Sequence, residues 1–578
     1  MATQDLLKTL SLIWKGSRSA SSLEGQSLDF KTEKPHTKET AQDLAEASVC
    51  FANAGGGTIV VGITDSGTGP AAFVGATVDI EDLRSRIHAL TEPALVTDVE
   101  DLPFEGHRLL VIRVPQGLDV YSTKKGLVTR RWNDQCLPMR PADVSRLDDE
   151  RRGNDWTVQP TDRGIDEIDP DALLRARSLL RGAPDETRRK LADADTLDLA
   201  KALKIVTGTR NRLTRAGEIL LCRAATSANA EVIVYQYRAT PGGEASAVRR
   251  WGTPLILSFA ETIDAVAARN GITPVNTSSG QQLQVEDYPS VAVREALANA
   301  VIHGDYREKR PVQIEHSPEV LTVTSPGPLV SGITPQNILT AGSRARFPSL
   351  ATAFRILGLA EELGQGVDRM FREMVRSGRS VPEVTEEDHP GLGTRVTFRG
   401  GPPNARITRF IAELPDAERE DTDTLLIVRM LCEQKTISAT QAADVIQRDL
   451  QGTEGVLRRL SSGDAELLEP TAGTVARRHP TYRLRSAALA ALGPAVKYHR
   501  RATTDVNRKI VEHVREYGTI NNSTVQRVFD VDVYQARDIL REFVGREILV
   551  RVSEQQRGVA VKYGPGPSFP EKRPRKKK

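Results

Sequence analysis

The stretch SVAVREALANAVIHGDY, residues 290–306, decides the fold of the central part of the chain. Its apolar residues recur at helical spacing, which predicts a helix from Ser290 to His303. Glu295, Asn299 and His303 follow one another at intervals of four, so they form a narrow polar stripe that drifts by only about 40° per step. A carboxylate can orient or deprotonate water, and a carboxamide oxygen can bind Mg²⁺. The stripe therefore predicts a site at which water and Mg²⁺ are held together.

Two glycine-containing segments follow this helix within the same α/β block, residues 286–400. They are SPGPLVSGI, residues 325–333, and LGQGVDRM, residues 363–370. Glycines give the flexible backbone and accessible N–H groups that suit phosphate binding. The alternative is an amphipathic helix followed by two unrelated glycine turns.

EALANAVIHGDY resembles the N-box of the GHKL superfamily of ATPases, in the divergent branch found in Schlafen-type AlbA-domain transcriptional regulators. In that branch the two glycine segments occupy the first and second Gly-box positions. The resemblance implies an α/β sandwich that binds ATP and Mg²⁺, with Glu295 as the catalytic or water-orienting carboxylate. It also implies Asn299 as a cofactor-binding residue and Mg²⁺ ligand. Three glycines would shape the nucleotide lid: Gly327, Gly364 and Gly366.

One position departs from the superfamily pattern. The Asp that reads the adenine amino group is absent, because Ser325 and Pro326 precede Gly327. No GxxxxGK[ST] motif occurs in the chain, which argues against a P-loop motor.

Residues 21–150 alternate strand and helix signals and carry a second set of candidate residues. Glu24 and Asp29 lie in LEGQSLDFK with Lys31 just beyond, and Asp65 ends the strand predicted in GGGTIVVGITD. Three carboxylates and a lysine can gather around a divalent metal and a phosphodiester. The alternative is a set of unrelated acids scattered over about 40 residues.

EGQSLDFK, FANAGGGTIVVGITDSGTG and VTRRWNDQCLPMRPADVSRL resemble the three landmarks of the Schlafen AlbA-2 domain. The resemblance implies an AlbA-like α+β domain that binds nucleic acid. Some animal members are RNA nucleases with three acids, and the resemblance gives Glu24, Asp29 and Asp65 those catalytic positions. Asp29 stands where Glu is more usual, so its carboxylate reaches less far.

Two segments of the C-terminal third, residues 405–490 and 501–564, each predict three helices and a strand pair, the order of a winged helix. In the second segment, VYQARDILREFVGRE is the candidate recognition helix. Gln and Arg side chains read purine edges or contact phosphates in a major groove. The predicted DNA-binding residues are Gln535, Arg537, Arg541, Arg551, Arg557, Lys562, Arg477 and Arg478. The alternative for each winged helix is protein contact or dimerisation.

Charge is unevenly distributed in this chain of 578 residues, although the net charge is only +3. Residues 501–578 contain 17 Lys and Arg against 10 Asp and Glu, so a basic end follows a mildly acidic remainder. A basic end favours an anionic partner such as DNA or RNA. We expect its last part, residues 565–578, to be a basic disordered tail.

The four cysteines, Cys50, Cys136, Cys222 and Cys432, form no CxxC pair. We therefore expect neither a disulfide scaffold nor a zinc ribbon, and a reducing, cytoplasmic location. No apolar run approaches the roughly 20 residues needed to cross a bilayer, so we expect no membrane partner.

These patterns together predict an α/β multidomain protein that forms a homo-oligomer. Its expected units are an N-terminal helix and linker (1–20), an AlbA-2-like domain (21–150), a connecting α/β domain (165–285), a GHKL-like domain (286–400), two winged helices (405–490 and 501–564) and a basic tail (565–578).

The predicted function is that of a DNA-binding transcription regulator whose DNA binding responds to ATP. The alternative is a metal-dependent nuclease, in a defence role, with ATP as its control. A weak ATPase at Glu295 is compatible with either hypothesis. A scaffold with an inactive nucleotide site is a third reading.

Overall fold

The computed structural model describes residues 3–224, 231–277, 280–360, 365–386, 393–463, 466–471, 473–496, 506–529, 533–555 and 561–570. The chain has a mixed α/β, multidomain architecture with several separate sheets. Among the described helices, none combines the length and the apolar character that a membrane span requires.

The N-terminal part is an α/β unit. Its helices and strands are α1 Thr3–Trp14, β1 Leu28–Lys31, α2 Thr37–Ala52, β2 Gly57–Val61, α3 Ile80–Leu90, β3 Thr91–Glu92, β4 Asp98–Phe104, β5 His107–Val114, β6 Ser122–Thr123, β7 Thr129–Trp132, β8 Gln135–Pro138 and α4 Pro141–Arg152. The main sheet has the order β1-β2-β5-β4, with β1 and β2 parallel and the other pairs antiparallel.

Helices cover both faces of this sheet. Successive strand residues point to opposite faces, so Val60 packs with Leu10 of α1 while Ile59 packs with Phe51 of α2. The strand predicted to reach Asp65 ends earlier, at Val61, where Gly62 adopts a φ of 108°.

Cys50 of α2 and Cys136 of β8 form a disulfide, with their Cα atoms 5.8 Å apart. The expectation that no disulfide forms is therefore wrong. The two cysteines are 86 residues apart in sequence, and only the packing of α2 against the β7–β8 hairpin brings them together. Cys222 and Cys432 are buried free thiols.

The central part is built around a larger sheet. Its elements are α5 Pro170–Arg181, α6 Glu186–Leu191, α7 Thr196–Ala202, β9 Val206–Thr207, β10 Arg212–Leu213, α8 Arg215–Leu221, β11 Glu231–Arg238, β12 Ala245–Gly252, α9 Leu255–Ala267, β13 Ile272–Asn276, β14 Gln282–Glu286, α10 Ser290–His303, β15 Val312–His316, β16 Val320–Pro326, α11 Pro348–Ile356, α12 Gly366–Arg376, β17 Glu383–Glu386 and β18 Gly393–Arg399. Six strands pair in the order β12-β11-β15-β16-β18-β17.

The six-stranded sheet takes strands from both sides of residue 286, since β11 pairs in parallel with β15. Helix α10 lies against β16 and α12. Apolar residues of α10, among them Val293, Leu297 and Val301, are buried in the core. The helix is therefore held rigidly against the sheet by its apolar residues.

The C-terminal part contains two units that share an order of three helices followed by a strand pair, and the first unit has two further helices before these elements and one after them. The first has α13 Ala405–Ala412, α14 Asp416–Arg419, α15 Thr422–Leu431, α16 Ala439–Ile446, α17 Leu450–Ser462, β19 Leu468–Pro470, β20 Tyr482–Leu484 and α18 Ser486–Leu492. The second has α19 Val506–Tyr517, α20 Asn522–Phe529, α21 Val533–Gly545, β21 Leu549–Arg551 and β22 Tyr563–Pro565. The first unit shares the apolar core of the central part, whereas the second has a core of its own.

Candidate functional site

A cavity of about 290 Å³ lies between α10, α11, α12, the end of the six-stranded sheet and a long loop, residues 327–345. We call this segment the rim loop. The volume is near the lower end of the range for small-molecule sites, roughly 300–1,000 Å³. The polar residues that line the cavity are Glu295, Asn299, His303, Ser325, Ser343, Arg344, Arg355 and Thr394.

Glu295 lies at the wall formed by α10 and α12. Its side chain is only 4% exposed, and its Oε1 atom is 3.6 Å from Nη1 of Arg369. A Cβ atom at Gly366 would stand 2.5 Å from Oε2 of Glu295. A side chain at position 366 would therefore push this carboxylate aside.

Asn299 and His303 continue the stripe along α10, and both line the cavity. Burial, followed by the charge of Arg346, lowers the pKa of His303 to about 4. His303 is therefore neutral at pH 7. The predicted alignment of Glu295, Asn299 and His303 on one cavity wall is present in the structure.

The floor of the cavity is the end of the sheet. Val323 and Ser325 of β16 pair in register with Val396 and Thr394 of β18, and all four residues line the cavity. Thr394 was not among the predicted site residues, and the sequence signal that could have indicated it is the alternation of polar and apolar residues in TRVTF of β18.

The rim loop begins at Gly327, whose φ of 87° lies in the left-handed region that favours glycine. A Cβ atom there would also stand 3.0 Å from Cβ of Asp305. Gly364, the other predicted lid residue of the second Gly-box, lies outside the described residues.

Arg346, buried at the end of the rim loop, holds several segments together. Its guanidinium donates to the carbonyls of His303 at 2.9 Å and Pro328 at 2.5 Å. It also lies 3.3 Å from Oε1 of Glu150 and 3.8 Å from Oδ2 of Asp305. Burial alone would raise the pKa of Asp305, but hydrogen bonds and charges from three arginines hold it far below its ordinary value.

Glu150 belongs to α4, the last helix of the N-terminal unit. In the structure α4 docks on the central part: Arg146 donates to Asp305 at 2.6 Å and ion-pairs with Glu308. No pattern within α4 itself indicated this role, because its partners lie more than 150 residues away.

The three N-terminal acids are gathered around Lys31. Burial raises the pKa of Glu24, and the nearby charges of Asp29 and Asp65 raise it further. Oε1 of Glu24 accepts a hydrogen bond from the backbone N–H of Phe30 at 3.1 Å. Sequence reasoning therefore selected residues that the fold does bring near one another.

Asp29 of this trio is already paired on both carboxylate oxygens. Oδ2 is 2.9 Å from Lys31, and Oδ1 is 3.2 Å from Arg131, whose side chain is buried. Arg131 also donates to the carbonyls of Gly25 and Leu28. Within the described part of the chain, no group of three or more His, Cys, Asp or Glu side chains is arranged to hold a metal ion.

The candidate DNA-binding residues lie on the two C-terminal units. Arg537 and Arg541 are exposed on α21, where both approach Asp538, and Arg537 packs over the ring of Tyr534. Arg551 and Lys562 are exposed beside the β21–β22 pair, and Arg477 and Arg478 are exposed in the turn between β19 and β20. Arg557 and the side chain of Gln535 lie outside the described residues.

Two family models match the chain. Residues 24–140 match "Schlafen, AlbA_2", and residues 309–398 match "Putative ATP-dependent DNA helicase recG C-terminal". Both resemblances drawn from the sequence are thereby confirmed. The matched domains indicate a DNA-related protein with an ATPase-like domain.

Among solved structures, the chain is similar to the DIP2311 protein from Corynebacterium diphtheriae, with 24% identity and a TM-score of 0.52. The similarity covers 85% of this chain and 98% of that chain, and it supports the multidomain fold. The N-terminal domain of "Putative ATP-dependent DNA Helicase RecG-related Protein" from Nitrosomonas europaea has 19% identity and a TM-score of 0.17, covering 24% of this chain and 93% of that chain. No curated protein matches the chain.

Proposed function

We propose that this protein is a DNA-binding transcription regulator in which ATP and Mg²⁺, bound in the cavity beside Glu295 and Asn299, change the affinity for DNA. The observation that carries the proposal is the position of the rim loop. It lines the cavity and is hydrogen-bonded to both the N-terminal unit and the first C-terminal unit.

Contacts to the N-terminal unit are made through Ser331. Its backbone N–H donates to Glu150 at 3.0 Å, and its hydroxyl accepts from Gln116 at 3.2 Å. Arg344, which lines the cavity, donates to the carbonyl of the same Ser331 at 3.0 Å. A ligand that moves Arg344 would therefore act directly on the contact with the N-terminal unit.

Contacts to the first C-terminal unit are made through Gln447, the residue that ends α16 with a φ of 56°. Its side chain accepts from the N–H of Leu339 at 2.9 Å and donates to the carbonyl of Pro335 at 2.9 Å. Its carbonyl accepts from the hydroxyl of Thr340 at 2.8 Å. These contacts give nucleotide binding a route to the first of the two proposed winged helices.

The residues at the cavity suit a Mg²⁺–nucleoside triphosphate. In this proposal Asn299 supplies a neutral oxygen ligand to Mg²⁺, and Glu295 orients a water molecule. Arg344 and Arg355 add positive charge for phosphates. ATP shifts the arrangement of the units only to the extent that it binds one arrangement more tightly than the other.

The test is DNA binding by the full chain, measured by fluorescence anisotropy of a mixed-sequence duplex in a salt series, with and without Mg²⁺–ATP. We expect DNA affinity to fall steeply with salt and to change with ATP in the wild type but not in Asn299→Ala. Arg294→Gln, on the exposed side of α10, is the matched control and should respond like the wild type. DNA binding that is indifferent to ATP would contradict the proposal.

A metal-dependent nuclease is the second candidate, favoured by the convergence of Glu24, Asp29 and Asp65. This function requires a metal ion to displace Lys31 or Arg131 from Asp29. Cleavage of labelled RNA or DNA in Mg²⁺ or Mn²⁺, lost in Glu24→Ala, Asp29→Ala and Asp65→Ala, would support it. Absence of cleavage by the wild type would leave the regulator as the single proposal.

A further inference from the structure

A second cavity, of about 310 Å³, lies where the N-terminal unit meets the central part. Its walls are the β7–β8 hairpin, helix α4 and the start of the rim loop, and we call it the hairpin cavity. The volume is at the lower end of the range for small-molecule sites. The apolar residues that line it are Trp132, Leu137, Pro138, Met139, Leu147 and Pro328.

Three of the four arginines that line the hairpin cavity are already paired with carboxylates. Arg131 lies 3.2 Å from Asp29. Arg140 and Arg146 both pair with Asp143, each at 2.8 Å. These three guanidiniums therefore have no charge to spare for a ligand.

Arg130 is the fourth arginine, and its guanidinium has neither a hydrogen bond nor an ion pair with the residues that the structure describes. It lies on the same face of β7 as Trp132, and its register partner on β8 is Leu137. Burial raises the pKa of Glu386, and the hydrogen bond from Leu329 and the charge of Arg130 oppose that rise. Glu386 nevertheless forms no ion pair with Arg130, so it leaves the guanidinium available.

The charge around Arg130 favours an anion. Glu150, the other acid of the cavity besides Asp143, accepts from the N–H of Ser331 at 3.0 Å and lies 3.3 Å from Arg346. Burial, followed by the charge of Arg130, lowers the pKa of Arg151 to about 10. Two positive charges that act on each other are both stabilised by a negative charge placed near them.

We propose that the hairpin cavity is a second ligand site, which takes a small organic carboxylate with an aromatic or short aliphatic body. A guanidinium presents parallel N–H donors that match the two oxygens of a carboxylate. Trp132 and its apolar neighbours cover the body of the ligand. A phosphate monoester suits the cavity less well, because its nearly two charges would lie near Asp143 and Glu150 with one available guanidinium.

The ligand would act on the first cavity through Pro328, which lines both cavities. The carbonyl of Pro328 accepts from Arg346 at 2.5 Å, at the start of the rim loop. A carboxylate that packs against Pro328 therefore changes the affinity for nucleotide. This coupling rests on the proposed function, whereas the binding of the carboxylate does not.

The experiment is calorimetric titration of the full chain with phenylacetate and with hexanoate. Phenylacetamide keeps the aromatic body without the charge, and acetate keeps the charge without the body. We expect both carboxylates to bind, and both control compounds to bind at least about tenfold more weakly. Bound phenylacetate should change the tryptophan fluorescence of the wild type and not that of Trp132→Phe.

Arg130→Gln should weaken phenylacetate by roughly tenfold or more and leave phenylacetamide unchanged. Lys125→Gln is the matched control, because it removes the same charge from an exposed position of the same unit, and it should bind phenylacetate like the wild type. Leu137→Trp fills the cavity and serves if Arg130→Gln fails to fold. It should weaken both carboxylates.

The outcomes separate this inference from the proposed function. Dissociation constants above about 10 mM for both carboxylates, or equal phenylacetate affinity in Arg130→Gln and the wild type, would overturn the site. Saturating phenylacetate should change the dissociation constant of Mg²⁺–ATP by about threefold or more, and an unchanged constant would overturn the coupling. Binding of the carboxylates by a chain that binds no ATP would overturn the proposed function and support this site.

Discussion

The carboxylates of Glu295 and Asp29 are both almost fully buried, 4% and 2% exposed, but their surroundings differ. Glu295 borders a cavity and approaches one arginine at 3.6 Å. Asp29 is paired on both oxygens, by Lys31 and by Arg131. The comparison teaches that gathering acids is not sufficient for a site, because room for a ligand beside the carboxylate is also needed.

The largest expected effect follows from removing the buried cation beside Asp29. Arg131→Ala should lower the free energy of unfolding of the N-terminal unit by about 3–5 kcal/mol, the scale for breaking a buried ion pair. Urea unfolding followed by circular dichroism measures it. Lys125→Ala, at an exposed position in the loop before β7, is the control and should change stability by about 0.5 kcal/mol or less. Equal stability of Arg131→Ala and the wild type would show that Arg131 does not form a stabilising pair with Asp29, and the difference between Asp29 and Glu295 would then be lost.

Acid should destabilise the central part through His316, the buried last residue of β15. Burial, followed by the charge of Arg269, lowers the pKa of His316 to about 4. A histidine with a lowered pKa binds more protons unfolded than folded, so stability is lost as the pH falls from about 6.5 towards 4. We expect a loss on the order of 2 kcal/mol.

The measurement for His316 is urea unfolding at pH 7, 6, 5 and 4.5. His316→Gln cannot titrate, so its stability should depend less on pH over this window. An identical pH dependence in the variant and the wild type would contradict the assignment.

A third prediction tests the room beside Glu295. Gly366→Ala places a methyl group 2.5 Å from the present position of Oε2 of Glu295, and the flexible carboxylate can move away. We expect nucleotide affinity to fall roughly tenfold while stability changes by less than about 1 kcal/mol. Gly455→Ala, where a Cβ atom meets open space, is the control. If Gly366→Ala bound nucleotide as tightly as the wild type, the position of the Glu295 carboxylate would not matter for nucleotide binding.

The smallest effect is expected at the rim loop. Gln447→Ala removes two side-chain hydrogen bonds to the loop and should reduce the ATP-dependent change in DNA affinity by about threefold, with nucleotide affinity little changed. Gln451→Ala, an exposed residue of the same unit, should behave like the wild type. Anisotropy titrations with and without ATP measure the change in DNA affinity for each variant. An unchanged response to ATP in Gln447→Ala would contradict the prediction.

The sequence was most informative where the signal is local. Helix α10 runs from Ser290 to His303, as its periodicity predicted, because its apolar residues and polar stripe lie within one segment. Glu24, Asp29 and Asp65 were selected through a family resemblance, and the fold brings them together. The three helices and strand pair of the second C-terminal unit follow the predicted order, whereas in the first unit these elements are accompanied by the additional helices α13, α14 and α18.

The missed features depend on distant partners. The role of α4 is fixed by Asp305 and Arg346, the disulfide joins residues 86 apart, and Arg131 reaches Asp29 across the N-terminal unit. Neither local spacing nor composition contains this information. The same holds for Thr394, whose significance comes from its register with Ser325.

Reciprocal coupling between nucleotide binding and DNA binding is the property that the proposed regulator must have. If ATP changes the affinity for DNA by some factor, DNA must change the affinity for ATP by the same factor. Calorimetric titration of Mg²⁺–ATP into the full chain, alone and saturated with duplex, measures this. We predict binding in both cases, with dissociation constants that differ by the factor found in the anisotropy experiment, and no binding by Asn299→Ala. Equal dissociation constants with and without DNA, or equal binding by Asn299→Ala and the wild type, would contradict the account.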